Sequence, residues 1–344
     1  MSGIRTAVVG LGNISALWLP LLRNRVEIVA LIDPVADRAC DARERHGISA
    51  PAFCSLDQAL AATAPSLVVN LTPVEWHRPV TMAALAAGCD VIQEKPLAVD
   101  LTEARQLVAA ADEAGKTLAI MQNRRYVPGI QSLGTGIADG TLGDISFLAA
   151  DMFLAHPAAD GDWRQTMASP LLVDMAIHTF DQARYLTGRD AVAAYCHEFN
   201  PPYSWYEGAA CAVCMFELEG GVVFSYRGSW VDAALATTYD AAWRINGSGG
   251  TAVWDGQSQP RFQTTARALQ AAADVERWPL AESGDRMGHA AAIDEILDAL
   301  EKGEKPPTTA ADNLRSLAMV FAAVQSSRER RRVTLEEIVT VPQS

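Results

Sequence analysis

Lys95, in the run Glu94-Lys95-Pro96, and the pair Asp174 and His178 are the side chains of this 344-residue chain best suited to moving a proton. Four-residue spacing on a helix sets Asp174 and His178 on one face. An imidazole titrates near neutral pH and can take the proton of a hydroxyl. An ammonium group can stabilise the oxygen as it becomes an alkoxide. Together they suit oxidation of a secondary alcohol, with His178 or Lys95 as proton acceptor and Asp174 binding a neighbouring hydroxyl or fixing the imidazole. Taken alone, an Asp–His pair on an apolar helix is ordinarily a buried structural hydrogen bond, so the reading needs a hydride acceptor beside it.

That acceptor is indicated near the start of the chain. Gly10-Leu11-Gly12-Asn13-Ile14-Ser15 stands between the strand-like Ala7-Val8-Val9 and the helix-like Ala16-Leu17-Trp18. In a strand–turn–helix setting, such a loop lets backbone approach a pyrophosphate and aims a helix N-terminus at it. The third glycine position of the fingerprint is Ser15, small enough to keep helix and strand close. Asp33 closes the second strand, where a carboxylate accepts from ribose hydroxyls and repels a 2′-phosphate. NAD is therefore favoured over NADP, with Arg38 nearby as a group that blunts the preference. Asn70-Leu71-Thr72-Pro73 ends another strand at the same edge, and Thr72 with Pro73 would wall a flat ring or ribose.

The elements that must carry these groups alternate over residues 1–123. Strands are expected at Arg5–Val9, Ile28–Ile32, Leu67–Leu71, Val91–Gln93 and Leu118–Met121, with a weaker one near Ala52-Phe53. Short, continuous apolar runs suit strands buried on both faces of a parallel sheet. Ser55 with Gln58, and Asp100 with Glu103, resemble capping boxes. Residues 124–344 differ in character. They combine a Gly-rich stretch at Gly134–Gly143, a helix over Leu171–Leu186 ending at Gly188, and strands at Ile145–Met152, Ala191–Cys196, Ala209–Leu218, Val222–Trp230, Thr238–Ile245 and Thr251–Val253. Hairpin-like spacing makes that sheet mostly antiparallel. Two final helices, Gly288–Glu301 and Ala311–Arg328, follow.

Composition narrows the function. A net charge of −13 argues against a nucleic-acid partner or an anionic membrane surface. No apolar run is long enough to span a bilayer and no signal peptide is visible, which points to the cytoplasm. Six cysteines are scattered, and Cys211 and Cys214 lie on a strand, so they read as packing thiols. The six dispersed histidines make no metal site.

With these residues in view, the chain resembles the glucose–fructose oxidoreductase / inositol dehydrogenase / MocA-like family of NAD(P)-dependent oxidoreductases. The resemblance runs over nearly the whole length. It includes the loop from Gly10, Asp33, Thr72-Pro73 with His77, Glu94-Lys95-Pro96, Arg125-Tyr126-Val127-Pro128, Gly140-Thr141-Leu142-Gly143-Asp144-Ile145, Trp163-Arg164 and Leu172 through Asp181. It implies an α/β chain: an N-terminal Rossmann doubly wound parallel sheet (1–123) that binds the dinucleotide, followed by an α/β domain with a large open, mostly antiparallel sheet (124–344) for substrate binding and oligomerisation.

It further implies Lys95, Asp174 and His178 as the catalytic set, and a cis Lys95–Pro96 bond. Cofactor contacts fall at Gly10, Gly12, Asn13, Ile14, Asp33, Thr72, Pro73, His77, Glu94, Lys95 and Pro96, and a homodimer or homotetramer is expected. Arg125, Trp163 and Arg164 are further substrate contacts. Ala176 and Ala168-Ser169-Pro170 replace glycines of the family pattern, which alters the pocket beside the catalytic pair. The expected reaction is hydride transfer between a nicotinamide and a secondary alcohol or ketone of a sugar, sugar derivative or inositol. Glycoside cleavage through transient oxidation and elimination, and a non-catalytic NAD sensor, are the alternatives.

Overall fold

Strands β1 (Arg5–Val9), β2 (Glu27–Ile32), β3 (Ala52–Phe53), β4 (Leu67–Asn70), β5 (Asp90–Gln93) and β6 (Leu118–Ile120) form one sheet in the order β3-β2-β1-β4-β5-β6. Every pairing in it is parallel. Helices α1 (Ser15–Leu22), α2 (Ala36–His46), α3 (Leu56–Thr63), α4 (His77–Ala86) and α5 (Leu101–Ala114) connect the strands. Val8, Leu31, Val68, Ile92 and Ala119 are fully buried, as strands covered on both faces require. Strand order reverses between β1 and β4, and ligands of such sheets bind beyond the carboxyl ends of the strands at that point.

The computed structural model describes residues 3–157, 161–269, 275–281 and 287–340. They divide into two compact units, one of 3–123 with 287–314 and one of 124–157, 161–269, 275–281 and 315–340. One boundary falls at 123/124, and 287–314 groups with the first unit. Three contacts account for this. Ile120 N donates to Thr308 O at 2.8 Å, Ala119 bridges Thr309, and helix α9 (His289–Lys302) packs on α1, where Arg25 pairs with Asp294 and Asp298.

In the second unit, α6 (Pro128–Ala138) leads to β7 (Ile145–Phe153). A 3-10 turn (Trp163–Thr166), a π-helical turn (Leu171–Ala176) and α7 (Ile177–Thr187) follow. Then come β8 (Ala191–Phe199), β9 (Cys211–Leu218), β10 (Val223–Ser229), β11 (Ala242–Gly247), β12 (Gly250–Trp254), β13 (Arg261–Thr264), the short α8 (Thr265–Ala268) and β14 (Glu276–Arg277). Helix α10 (Ala310–Glu329), whose first residues belong to the other unit, then β15 (Val333–Thr334) and α11 (Leu335–Thr340) complete it. The nine strands are ordered β14-β13-β12-β11-β7-β10-β9-β8-β15. Only β10 with β7 is parallel among them. Phe180 of α7 fastens the helix to this sheet, its ring centroid 4.7 Å from Phe216 and 5.3 Å from Tyr226.

Several local expectations change. The Gly-rich stretch begins inside α6, because Gly129 and Gly136 bring that helix against two indoles. A Cβ would lie 2.2 Å from the Trp254 ring and 2.4 Å from that of Trp278. The helix expected over Leu171–Leu186 opens as a π turn, so the α-helical four-residue rule does not set the relative orientation of Asp174 and His178. Ser55 is the N-cap of α3 without a side-chain hydrogen bond, whereas Asp100 caps α5 by accepting from Glu103 N at 2.8 Å. Strands β13, β14 and β15 are too short to show a period in sequence.

Candidate active site

The glycine loop is built for close approach. Gly10 has φ +89°, and a Cβ there would lie 2.7 Å from the Leu71 carbonyl carbon and Thr72 N. Only glycine lets the turn after β1 pass that closely under the end of β4. A Cβ on Gly12 would instead meet nothing within 4 Å, so backbone is open to a ligand at that point. Ser15, standing at the third glycine position, turns its hydroxyl inward and donates to Gly12 O at 2.7 Å. Helix α1 starts at Ser15 after the N-cap Ile14, which makes no side-chain hydrogen bond. The N–H groups of Ser15, Ala16 and Leu17 donate to the carbonyls of Gly12, Asn13 and Ile14, so the helix N-terminus points along the turn at Gly12. This open, uncapped turn fits a dinucleotide pyrophosphate at Gly10, Gly12, Asn13 and Ile14.

Asp33 is buried and ties the end of β2 to the loop. Its Oδ2 accepts from Leu11 N at 2.8 Å and its Oδ1 from Val35 N at 2.9 Å, with Arg38 at 3.6 Å. A carboxylate has lone pairs for further donors, so the placement suits ribose hydroxyls. At the end of β4, Asn70 Oδ1 accepts from Thr72 N at 3.2 Å and from Thr72 Oγ1 at 2.6 Å, fixing the Thr72-Pro73 exit.

His77, expected as a cofactor contact, is 1% exposed and lies inside the protein. Its Nδ1 is 2.8 Å from Pro96 O and its Nε2 2.9 Å from Thr72 O, so the ring clips the two edge segments together. Burial holds its pKa below the ordinary histidine value, against the carbonyls and nearby Glu94, which favour the proton.

Lys95 follows β5 at the same carboxyl edge, and the Lys95–Pro96 peptide is cis. The preceding Glu94 is the anchor. Trp18 Nε1 donates to its Oε1 at 2.7 Å, and Lys95 N donates to its Oε2 at 3.1 Å. His289 Nε2 stands 3.5 Å from Oε1. Burial pushes the Glu94 carboxyl up, but His289, the Trp18 indole and Lys95 outweigh it and hold the group below the ordinary glutamate value. Asn123 Nδ2 lies 3.2 Å from His289 Nδ1, an amide donor that leaves the ring proton on Nε2, facing Glu94. The sequence alone shows neither Trp18 nor His289 in this role. One is buried on α1, and the other opens a helix almost two hundred residues after Glu94.

In the second unit, Asp174 lies in the π turn and His178 in the first turn of α7, both buried. Arg164 Nε donates to Asp174 Oδ2 at 2.7 Å, and its Nη1 to Asp162 Oδ1 at 3.3 Å. The guanidinium lies 4.4 Å from the centroid of the Trp163 ring, on which it stacks. Burial alone would lower the Arg164 pKa, but Asp174 and Asp162 raise it, so the cation is secure. Three of the expected substrate residues, Trp163, Arg164 and Asp174, therefore form one contact group.

Arg125 does not join them. Its Nε and Nη2 fork onto Asp181 at 2.6 and 2.7 Å, both side chains are buried, and Ser316 Oγ donates to the same carboxylate at 2.8 Å. A bidentate pair so enclosed gives Arg125 an internal structural partner in place of a bound ligand. Among the described residues no group of three or more His, Cys, Asp or Glu side chains could hold a metal ion. No helix among them is long and apolar enough to cross a membrane.

A parallel six-stranded sheet with an open glycine turn at its switch point is a Rossmann dinucleotide-binding arrangement. Residues 4–122 match the model of the oxidoreductase family with an NAD-binding Rossmann fold, and residues 135–335 match the model of its C-terminal α/β domain. The chain belongs to this Gfo/Idh/MocA oxidoreductase family, and NAD is its cofactor.

It is 29% identical to D-apiose dehydrogenase of Paraburkholderia graminis over 96% of this chain and 90% of that one. With inositol 2-dehydrogenase of Corynebacterium glutamicum it shares 30% identity over 55% and 56% of the two chains. The fold is similar to that of an Agrobacterium radiobacter oxidoreductase crystallised with NAD+, L-tartaric acid and magnesium. That match has a TM-score of 0.87 at 19% identity, covering 98% and 99% of the chains.

Proposed function

We propose that this protein is an NAD-preferring dehydrogenase of a sugar, sugar derivative or inositol, transferring hydride between a secondary alcohol and the nicotinamide. The observation that carries the reading is the position of Lys95. It follows Glu94 on the sheet edge that also carries the open Gly12 turn and the Thr72-Pro73 exit. The relatives named for D-apiose and inositol support a sugar or polyol as the substrate class.

When bound, NAD supplies the hydride acceptor. Gly10, Gly12, Asn13 and Ile14 receive the pyrophosphate, Asp33 accepts from the adenosine ribose, and Thr72 and Pro73 border the ring end. Lys95 donates to the reacting hydroxyl oxygen and stabilises it as the proton leaves. His178 takes that proton. Asp174, held by Arg164, accepts from a neighbouring hydroxyl and so selects a polyol over a simple alcohol. The exposed Tyr195, Val213 and Met215, on one face of β8 and β9, suit association of two copies of the chain.

The experiment is to mix the protein with NAD and inositol, D-apiose or D-glucose, and to follow NADH absorbance. Stoichiometric NADH with one of them is expected. An unreactive panel, with NAD bound, would overturn the dehydrogenase reading.

A further inference from the structure

Two thiols on the nine-stranded sheet have no part in the chemistry above. Cys196 of β8 and Cys214 of β9 face each other directly across an antiparallel pair, with their Sγ atoms 3.2 Å apart. Cys196 N donates to Ser326 Oγ at 2.9 Å, so its N–H points away from β9. The two residues are thus a non-hydrogen-bonded pair, the closer of the two antiparallel arrangements, with Cα atoms roughly 4.5 Å apart. Disulfides bridge Cα separations of about 4.4–6.8 Å, so the strands need not move to join the sulfurs.

Their surroundings are unequal. Cys214 is buried, opposite Tyr226 of β10, and burial beside Cys196 and Glu198 raises its thiol well above the ordinary value. Cys196 is partly exposed. An oxidant therefore meets Cys196 first, and Cys214 stands directly behind it as the resolving thiol.

What lies between the two cysteines matters for the site. The connection from β8 to β9 packs backbone against backbone on the segment that carries Arg164. Glu207 N donates to Gln165 O at 2.9 Å and Ala209 N to Ala168 O at 2.8 Å. A Cβ on Gly208 would fall 2.0 Å from Met167 O. Closing a bond between residues 196 and 214 would pin both ends of the loop that supports the Arg164–Asp174 pair.

We propose that Cys196 and Cys214 are a reversible redox pair, closed to a disulfide by a hydroperoxide, that tethers the β8–β9 connection beneath Arg164. The Cys196 sulfur, as thiolate, attacks one peroxide oxygen and breaks the O–O bond; with hydrogen peroxide the departing hydroxide takes a proton and leaves as water. Cys196 is then a sulfenic acid. The Cys214 sulfur attacks the Cys196 sulfur, the S–O bond breaks, and the departing hydroxide takes the thiol proton to form a second water. Two thiols are oxidised and one peroxide is reduced. The step stands apart from the dehydrogenase reading, because it needs neither NAD nor substrate.

The test uses the full chain and hydrogen peroxide, with digestion under non-reducing conditions and mass spectrometry. The expected product is one peptide pair linked through Cys196 and Cys214, lighter by two hydrogens and restored by dithiothreitol. Its formation should raise Tm by about 5 °C, as a covalent loop closure does. C214S should stop at a dimedone-reactive Cys196, and C196S should leave Cys214 reduced. The exposed Cys40 and Cys54 serve as internal comparison. Should they be oxidised while Cys196 and Cys214 still alkylate as thiols after unfolding, the proposal fails. It fails equally if Cys196 proceeds to sulfinic acid with Cys214 free. The wild-type digest decides between these outcomes even where a serine variant does not fold.

Discussion

Arg164 holds Asp174 by a 2.7 Å Nε–Oδ2 hydrogen bond, while its Nη1 reaches Asp162 and its plane stacks on Trp163. A carboxylate in the π turn before α7 is thus held in place by the guanidinium. Replacing Arg164 with Met removes the Nε hydrogen bond that orients Asp174. The expected outcome is a fall in kcat/KM of about 10²-fold from misplacement of the substrate. NAD affinity should stay within twofold, as checked by steady-state kinetics and a fluorescence titration of the coenzyme.

Glu94 is a buried carboxyl whose pKa lies below its ordinary 4.5. A depressed carboxylate pKa stabilises the fold fully above the unfolded value, and that contribution is lost as pH falls through the folded value. The wild type should therefore exceed E94Q in stability at neutral pH, and the difference should shrink as pH drops below 4.5. His289→Leu removes one of the groups that depress this carboxyl, so its loss of stability should begin at higher pH than in the wild type. Urea melts at a series of pH values give the comparison.

Arg125 and Asp181 form the buried fork of the second unit. Removing Arg125 leaves Asp181 with Ser316 and, at 4.0 Å, Arg184, at a cost of up to about 3–5 kcal/mol. Arg125→Met should lower unfolding stability by that amount in urea titration. If some folded enzyme survives, its KM for substrate should be unchanged, which separates an internal role from a ligand contact.

Asp33 both closes the glycine loop onto β2 and faces Arg38. Asp33→Ser should weaken NAD by about 10-fold or more, the scale of a lost charged hydrogen bond. It should weaken NADP less, because the charge that repels a 2′-phosphate is gone. Parallel titrations with the two coenzymes measure this.

Much of this architecture is readable from residues alone. The alternation over residues 1–123, the Gly10 turn, Asp33 and the Asp100 cap are local signals, set by chain neighbours. What sequence misses depends on distant partners. The Gly-rich stretch carries no local sign that α6 runs into it, because only Trp254 and Trp278, distant in sequence, pack on Gly129 and Gly136. His289 joins Glu94 only because α9 returns to the first unit. Arg125 looks like a ligand contact until its Nε and Nη2 are found forked onto Asp181. The β8–β9 register that opposes Cys196 to Cys214 is equally hidden, since each cysteine reads alone as a packing residue.

In the proposed reaction Lys95 and His178 handle the hydroxyl proton during hydride transfer. The most direct test of this role measures NADH formation and NAD affinity side by side for Lys95→Met and His178→Asn, with the most reactive polyol of the panel. The expected result is turnover lowered by about 10²–10⁴-fold in each variant, with NAD binding unchanged in His178→Asn and still measurable in Lys95→Met. Near-wild-type turnover in either one would contradict it.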